Sequence, residues 1–241
     1  MGTEPLALDD KLSRALSGIT TATLTTVLLK KGLRNVWLRG TRPLAPGQPR
    51  LVGRAFTLRF VSAREDLATP ASWGSPISTR AAIEAMPPGC IAVVAAMGVT
   101  DAGIFGDILC ARMHKRGVAG LVTDGVVRDV DGVLGTSLPV WCQGTAAPAS
   151  VNGLTFVGWQ EPIDCGGVAV FPNDVIVVDA DGAVLIPAAL VEEVTALAIE
   201  QELLEGWIMS QIEQDVPLPG LYPPNAENLA RYQAWAKNKV S

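Results

Sequence analysis

Cys90 to Met97, read Cys-Ile-Ala-Val-Val-Ala-Ala-Met, is an unbroken apolar run. It has the length of a strand and falls well short of the roughly 18 residues that a membrane-spanning helix needs. A strand with no polar alternation is buried on both faces, the situation of a parallel sheet covered on either side. The flanks agree. A short helix at 79–86 is stopped by Pro87-Pro88-Gly89. A helix at 105–116, a strand at 119–123, a short helix at 128–134 and a strand at 139–142 follow. This rhythm predicts an α/β core with parallel pairing and right-handed crossovers.

Around that core the pattern is less regular. Residues 5–32 read as two short helices, the second capped by Thr20 or Thr21 and stopped at Gly32. Residues 41–50 are a proline-rich loop, 51–61 a strand and 62–78 a long irregular segment of the kind that often carries function. Cys165–Val170, Asp174–Asp179 and Ala183–Ile186 read as short antiparallel strands, with a hairpin turn over Asp179–Gly182. Gly166-Gly167 reads as a tight strand entry; no helix follows it, so a phosphate-loop reading is weak. Pro187 opens a long helix to about residue 214, with Leu190, Val194, Leu197, Leu204, Ile208 and Ile212 in one apolar stripe. A proline-rich stretch over 217–224 and a last helix at about 225–238 complete the chain. Tyr222, Tyr232 and Trp235 there form a tail of the kind that packs on a neighbouring subunit. The expected organisation is one domain over 1–241, with its core at about 50–190 and the helix and oligomer-contact tail at 187–241.

Composition narrows the function classes. Hydrophobic residues make up 49% and charged residues 18%, which fits a folded chain with a large core and not a disordered one. The net charge is −5 and no basic cluster exceeds Lys30-Lys31 or Lys115-Arg116, so no nucleic-acid footprint is visible. His114 is the one histidine, which excludes a multi-histidine metal site within one subunit; on its helix it reads as structural or surface. Cys90, Cys110, Cys142 and Cys165 form no paired motif and read as buried thiols in a reducing compartment. With a polar, acidic start at Met1–Arg14 and no membrane-length run, the expectation is a soluble cytoplasmic protein.

Chemistry concentrates in Asp107, Arg128 and Asp129. The amides of Gly106, Asp107, Ile108 and Leu109 open a helix and can cradle a carboxylate or phosphate. Taken alone, Gly106-Asp107 is a helix cap and Arg128-Asp129 a surface ion pair beside a turn. Both follow strands, however, and in open α/β sheets ligands bind beyond the carboxyl ends of the strands. Two carboxylates and a guanidinium in one place suit a small anionic ligand held through a hard metal ion. No lysine stands in the motif to form a Schiff base. Arg64, Glu65, Asp66 and Trp73, in the long irregular segment, read either as substrate-selecting or as packing or oligomer-contact residues.

The stretch Gly106-Asp107-Ile108-Leu109 through Gly117–Asp129 resembles the proteins related to the regulator of ribonuclease activity A. That group includes the class II 4-hydroxy-4-methyl-2-oxoglutarate/4-carboxy-4-hydroxy-2-oxoadipate aldolases. Their hallmark, an Asp, twenty intervening residues and then Arg-Asp, is met by Asp107 and Arg128-Asp129. The likeness continues through Leu138-Pro139-Val140 and Val175–Gly182 and covers most of residues 50–215. It implies an α/β/α swivelling-domain sandwich, similar to phosphohistidine domains, assembled as a trimer or a dimer of trimers. It implies that Asp129 ligates Mg²⁺ or Mn²⁺ directly and that Asp107 does so through water. Arg128 would contact the keto oxygen of a 2-oxo acid, and the 106–109 amides its carboxylate. The implied reaction is retro-aldol cleavage to pyruvate through a metal-stabilised enolate, with oxaloacetate decarboxylation as a side activity. The family's name implies the alternative, a non-catalytic inhibitor of an RNA-degrading endonuclease. Family aldolases also take a Glu from a neighbouring subunit's C-terminal helix, where Glu202 and Glu205 stand here. One departure is Gly132, which occupies a position commonly held by an acid; Asp131 is the nearest one.

Overall fold

The protein is described by a computed structural model over residues 4–240. Helices α1 (Asp10–Ser17) and α2 (Thr21–Lys30) open the chain. Two minimal strands, β1 (Trp37–Leu38) and β2 (Arg42–Pro43), lead to the long β3 (Leu51–Ser62). A 3-10 turn at Pro70–Gly74, inside the segment expected to be irregular, precedes α3 (Thr79–Ala85). Then come β4 (Ile91–Ala95), α4 (Asp107–Lys115), β5 (Gly120–Thr123), β6 (Val126–Val127), α5 (Val130–Gly135), β7 (Val140–Cys142) and β8 (Gly144–Thr145). After β9 (Leu154–Trp159), the hairpin β10 (Ile163–Cys165) and β11 (Val168–Val170) and the hairpin β12 (Val175–Asp179) and β13 (Gly182–Ile186) follow. Helices α6 (Val191–Ile212) and α7 (Ala226–Val240) end the chain.

The main sheet runs β1-β13-β12-β3-β4-β5-β7-β2, with β9 also pairing β3. Strands β3, β4, β5 and β7 are parallel, as the sequence rhythm predicts. β3 joins the two regimes. Its first residues pair antiparallel with β12, its last with β9, and its middle runs parallel to β4.

The apolar run is buried on both faces over 90–96, for the expected reason, while Met97 at its end is exposed. Ala92, Val94 and Ala96 join one cluster with Phe56, Met86, Cys110, Met113 and Val133, beneath α3, α4 and α5. Ile91, Val93 and Ala95 join another with Trp141, Ile176 and Val178. Among the described residues no helix contributes to that second cluster. There Ile163, Cys165, Val168 and Val170 of the β10–β11 hairpin close the core. Helices α1, α2 and α6 instead cover β12 and β13, where Val175, Val177, Val184 and Ile186 meet Leu16, Leu24, Leu28 and Val194.

Several sequence expectations are revised. Cys165–Val170 is not one strand: Gly166 and Gly167 turn it into two. The helix expected from 105 starts at Asp107, and the one expected from 128 starts at Val130, leaving Arg128-Asp129 in the connection. β9 has no counterpart in the sequence reading. On α6, preceded by a 3-10 turn at Ala188–Leu190, the expected stripe divides: Val194 and Ile208 are buried, while Leu197 and Ile212 are exposed. Among the described residues no helix is long and apolar enough to cross a membrane.

Candidate functional site

β4 and β5 are adjacent and parallel, so the connections leaving their carboxyl ends lie side by side. Asp124, just past β5, ties them together. Its carboxylate accepts from the Ala96 N–H at 2.7 Å and from the Gly166 N–H at 3.1 Å, joining the end of β4 to the β10–β11 hairpin. Burial pushes the Asp124 pKa up, against the pull of these amide donors. Downstream, the Ile104 N–H donates to the Val126 carbonyl and the Arg128 N–H to the Phe105 carbonyl, each at 2.9 Å. The start of α4 is thereby fixed against the segment that carries Arg128-Asp129.

The contact there is close enough to dictate residue type. A Cβ on Gly106 would collide with Asp129 Oδ2, so only glycine leaves room for that carboxylate. A Cβ on Gly132 would stand 2.7 Å from Asp107 Cβ and 2.9 Å from its Oδ2. Gly132 thus leaves the space that the Asp107 side chain rests against. Asp129 holds a left-handed backbone, φ 53° and ψ 48°, just before α5. Its Oδ2 accepts from Arg128 Nε at 3.0 Å, an ion pair in which both side chains keep solvent access. Asp107 Oδ1 accepts from the Ile108 N–H at 2.7 Å.

Gly106, Asp107, Ile108, Leu109, Arg128 and Asp129 all line one cavity of about 350 Å³. That lies at the small end of the usual range for metabolite sites, about 300–1,000 Å³. Trp73, Thr79 and Arg80 supply a further part of the wall. Trp73 belongs to the segment flagged by its irregularity, whereas nothing in the sequence marks Arg80. The Arg80 guanidinium carbon lies 5.0 Å from the Trp73 ring centroid. Arg64 and Asp66, also weighed as substrate-selecting residues, bind each other at 2.7 Å and do not line the cavity.

Glu202 and Glu205 stand elsewhere in this chain. Glu202 Oε1 accepts from the Thr20 N–H at 2.9 Å, at the cap of α2. Glu205 accepts from Thr23 Oγ1 at 3.3 Å and from Gln201 Nε2 at 2.7 Å. His114 is exposed on α4. All four cysteines are buried free thiols, and burial pushes Cys90 and Cys110 up to about 12, so neither is a ready nucleophile.

For a metal, the cavity offers the carboxylates of Asp107 and Asp129. Among the described residues no group of three or more His, Cys, Asp or Glu side chains is assembled. Two hard oxygen donors beside open space suit Mg²⁺ or Mn²⁺, because Mg²⁺ keeps most of its waters and needs one or two carboxylates. The same set would hold zinc poorly.

A family model described as RraA-like, Aldolase/RraA, matches residues 21–185. The chain belongs to the RraA-like family. A protein of Halalkalibacterium halodurans, provisionally named a 4-hydroxy-4-methyl-2-oxoglutarate aldolase, is 35% identical over 130 residues, which are 54% of this chain and 61% of that one. Protein DlpA of Legionella pneumophila is 28% identical over 73% of this chain but only 27% of its own length. The chain therefore matches less than two thirds of either relative. Among solved structures, Streptomyces coelicolor RraAS2, called an unusual member of the RNase ES inhibitor RraA protein family, is 34% identical. Its TM-score is 0.75, over 84% of this chain and 97% of that one. An uncharacterized protein from Pseudomonas syringae pv. tomato is 26% identical with a TM-score of 0.76, over 90% and 99%. The family's fold is thus the fold of this chain, a mixed α/β sheet with a long C-terminal helix.

Proposed function

We propose that this protein is a divalent-metal-dependent lyase cleaving a C–C bond of a 2-oxo acid. The reaction is retro-aldol release of pyruvate from a 4-hydroxy-2-oxo acid, with oxaloacetate decarboxylation as a side activity. The observation that carries this reading is the meeting of Asp107, Arg128 and Asp129 with the first turn of α4 around one cavity. The aldolase names among its relatives support it. Asp129 would hold Mg²⁺ or Mn²⁺ directly and Asp107 through a water. When bound, the cation supplies Lewis acidity to the 2-oxo group.

The chain's own groups do the rest. First-turn amides of a helix lack intrahelical acceptors, so those of residues 106–109 bind the substrate carboxylate, assisted by the helix dipole, the Ile108 N–H exchanging its bond to Asp107 Oδ1 for the ligand. Arg128 donates to the keto oxygen and stabilises the negative charge that gathers there as the C3–C4 bond breaks. The 4-hydroxyl gives its proton to the water held by Asp107 as its carbon becomes a carbonyl, and the electron pair of the broken bond passes to the pyruvate enolate. Asp107, through the water it holds, returns a proton to the enolate methylene. Among the described residues no lysine lines the cavity, which disfavours a Schiff-base route. The proposed assembly is a homotrimer or a dimer of trimers, with Glu202 or Glu205 of a neighbouring subunit completing the site.

The test is pyruvate release from oxaloacetate and from 4-hydroxy-2-oxo acids with Mg²⁺, with and without a chelator. Turnover should require the metal. Arg128→Ala and Asp129→Ala should each lower it by about 10²–10³-fold, the scale for losing one charge-stabilising group, with the melting temperature kept. A second reading, a non-catalytic inhibitor of an RNA-degrading endonuclease, is favoured by the likeness to RraAS2. It gains if no 2-oxo acid is turned over and the protein slows such a nuclease.

A further inference from the structure

We infer that Arg80, held against the Trp73 ring, is a specificity-determining residue that selects 2-oxo acids carrying a second carboxylate. The inference rests on the proposed 2-oxo acid reading for the first anchoring point, at Arg128 and the start of α4.

Two guanidiniums, Arg80 and Arg128, line the same small cavity, and their circumstances differ. Arg128 already faces Asp129 at 3.0 Å. Arg80 has no carboxylate within ion-pair distance among the described residues. A partner is at hand in the sequence: Glu84 sits four residues on in α3, the usual helix pairing distance. Yet Glu84 turns to α4, where it takes Arg112 at 2.7 Å and Arg116 at 3.1 Å. Arg80 is left with a long contact to its neighbour Thr79 Oγ1 at 3.4 Å and with the face of Trp73.

Stacking on a ring fixes the guanidinium plane without using its in-plane N–H donors. Those donors form the fork that binds a carboxylate bidentately. Partial burial pulls the Arg80 pKa down. A ligand carboxylate would offset that desolvation. The start of α4 and Arg80 line the same cavity of about 350 Å³, so a short-chain ligand anchored by one carboxylate at α4 has Arg80 among the groups around its other end. Trp73 and Thr79 also line an adjoining cavity of about 300 Å³ walled by Phe60, Leu154 and Phe156, so the stack stands at the border of apolar space. A cation placed there discriminates against an apolar substrate end.

The experiment measures binding, so it does not depend on turnover. Calorimetry with Mg²⁺ present compares 2-oxoglutarate with 2-oxopentanoate, acids of equal chain length that differ in a distal carboxylate against a methyl group. The wild-type protein should bind 2-oxoglutarate about tenfold or more tighter, the scale of hydrogen bonds to a charged group. Arg80→Ala should bring the ratio of affinities near one, with Arg80→Lys and Trp73→Ala in between. A wild-type ratio near one, binding of neither acid, or an undiminished ratio in Arg80→Ala would overturn the inference. A protein that keeps the Arg80-dependent ratio but never releases pyruvate would sink the lyase reading alone. A working lyase with a ratio of one would sink the Arg80 assignment alone.

Discussion

A methyl group added at Gly106 would contend with Asp129 Oδ2 for one space. The backbone there is extended, φ −116° and ψ −169°, so alanine meets no dihedral obstacle and the conflict is between side chains. Gly106→Ala is expected to displace the Asp129 carboxylate and cut metal-dependent turnover by at least about tenfold, while costing under about 1 kcal/mol of stability. Parallel rate and melting measurements check this; full activity would mean that Asp129 has no fixed role. The motif residues themselves were legible because acid, arginine and acid keep a spacing that a helix-then-strand crossover can close. The reason for Gly132 was not. In sequence it reads as a missing acid, and in space it is the floor under Asp107. Arg80 was equally hidden: one arginine on a short helix carries no periodic signal, and its ring partner lies in an irregular segment.

At the scale of elements, the seam between α2 and α6 decides what the C-terminal carboxylates do. Glu202 accepts from the backbone at the α2 cap, where Thr20 Oγ1 also accepts from the Thr23 N–H. Glu202→Ala strands that half-buried amide, which should cost about 1 kcal/mol and lower the melting temperature by about 2–4 °C. Glu205 has a longer bond to α2 and lines an open cavity at the seam. Glu205→Ala should cost less stability and show its effect in turnover by the assembled protein. Calorimetric melts and rates on both variants test the assignment; a large melting loss for Glu205→Ala alone would reverse it. The helices and the parallel strands were readable from capping residues, apolar periodicity and the run at 90–97. β9 was not, because its burial does not alternate cleanly and its partner, β3, is about a hundred residues earlier in the chain. β1 and β2, two residues each, exist only through tertiary pairing.

At the scale of the whole molecule, α6 carries more apolar surface than its own chain covers. Leu197, Ile199, Leu203, Met209 and Ile212 are 40–57% exposed on that one helix. A helix apolar on most sides belongs in an interior or an interface. The protein should therefore sediment as a homo-oligomer at micromolar concentration, and Leu203→Glu with Met209→Glu should shift it toward monomer. A wild-type monomer across that range would refute the proposed assembly. The covering of the core's second face by the β10–β11 hairpin was also beyond local reading, since it depends on where a late segment folds back over an early sheet.

The turn bearing Trp73 lies between β3 and α3, outside the stretch from Gly106 to Asp129. On the proposed reading, Trp73 and Arg80 could therefore be exchanged, in that turn and in the first turn of α3, to retune which acid is taken while the proposed bond-breaking residues stay untouched.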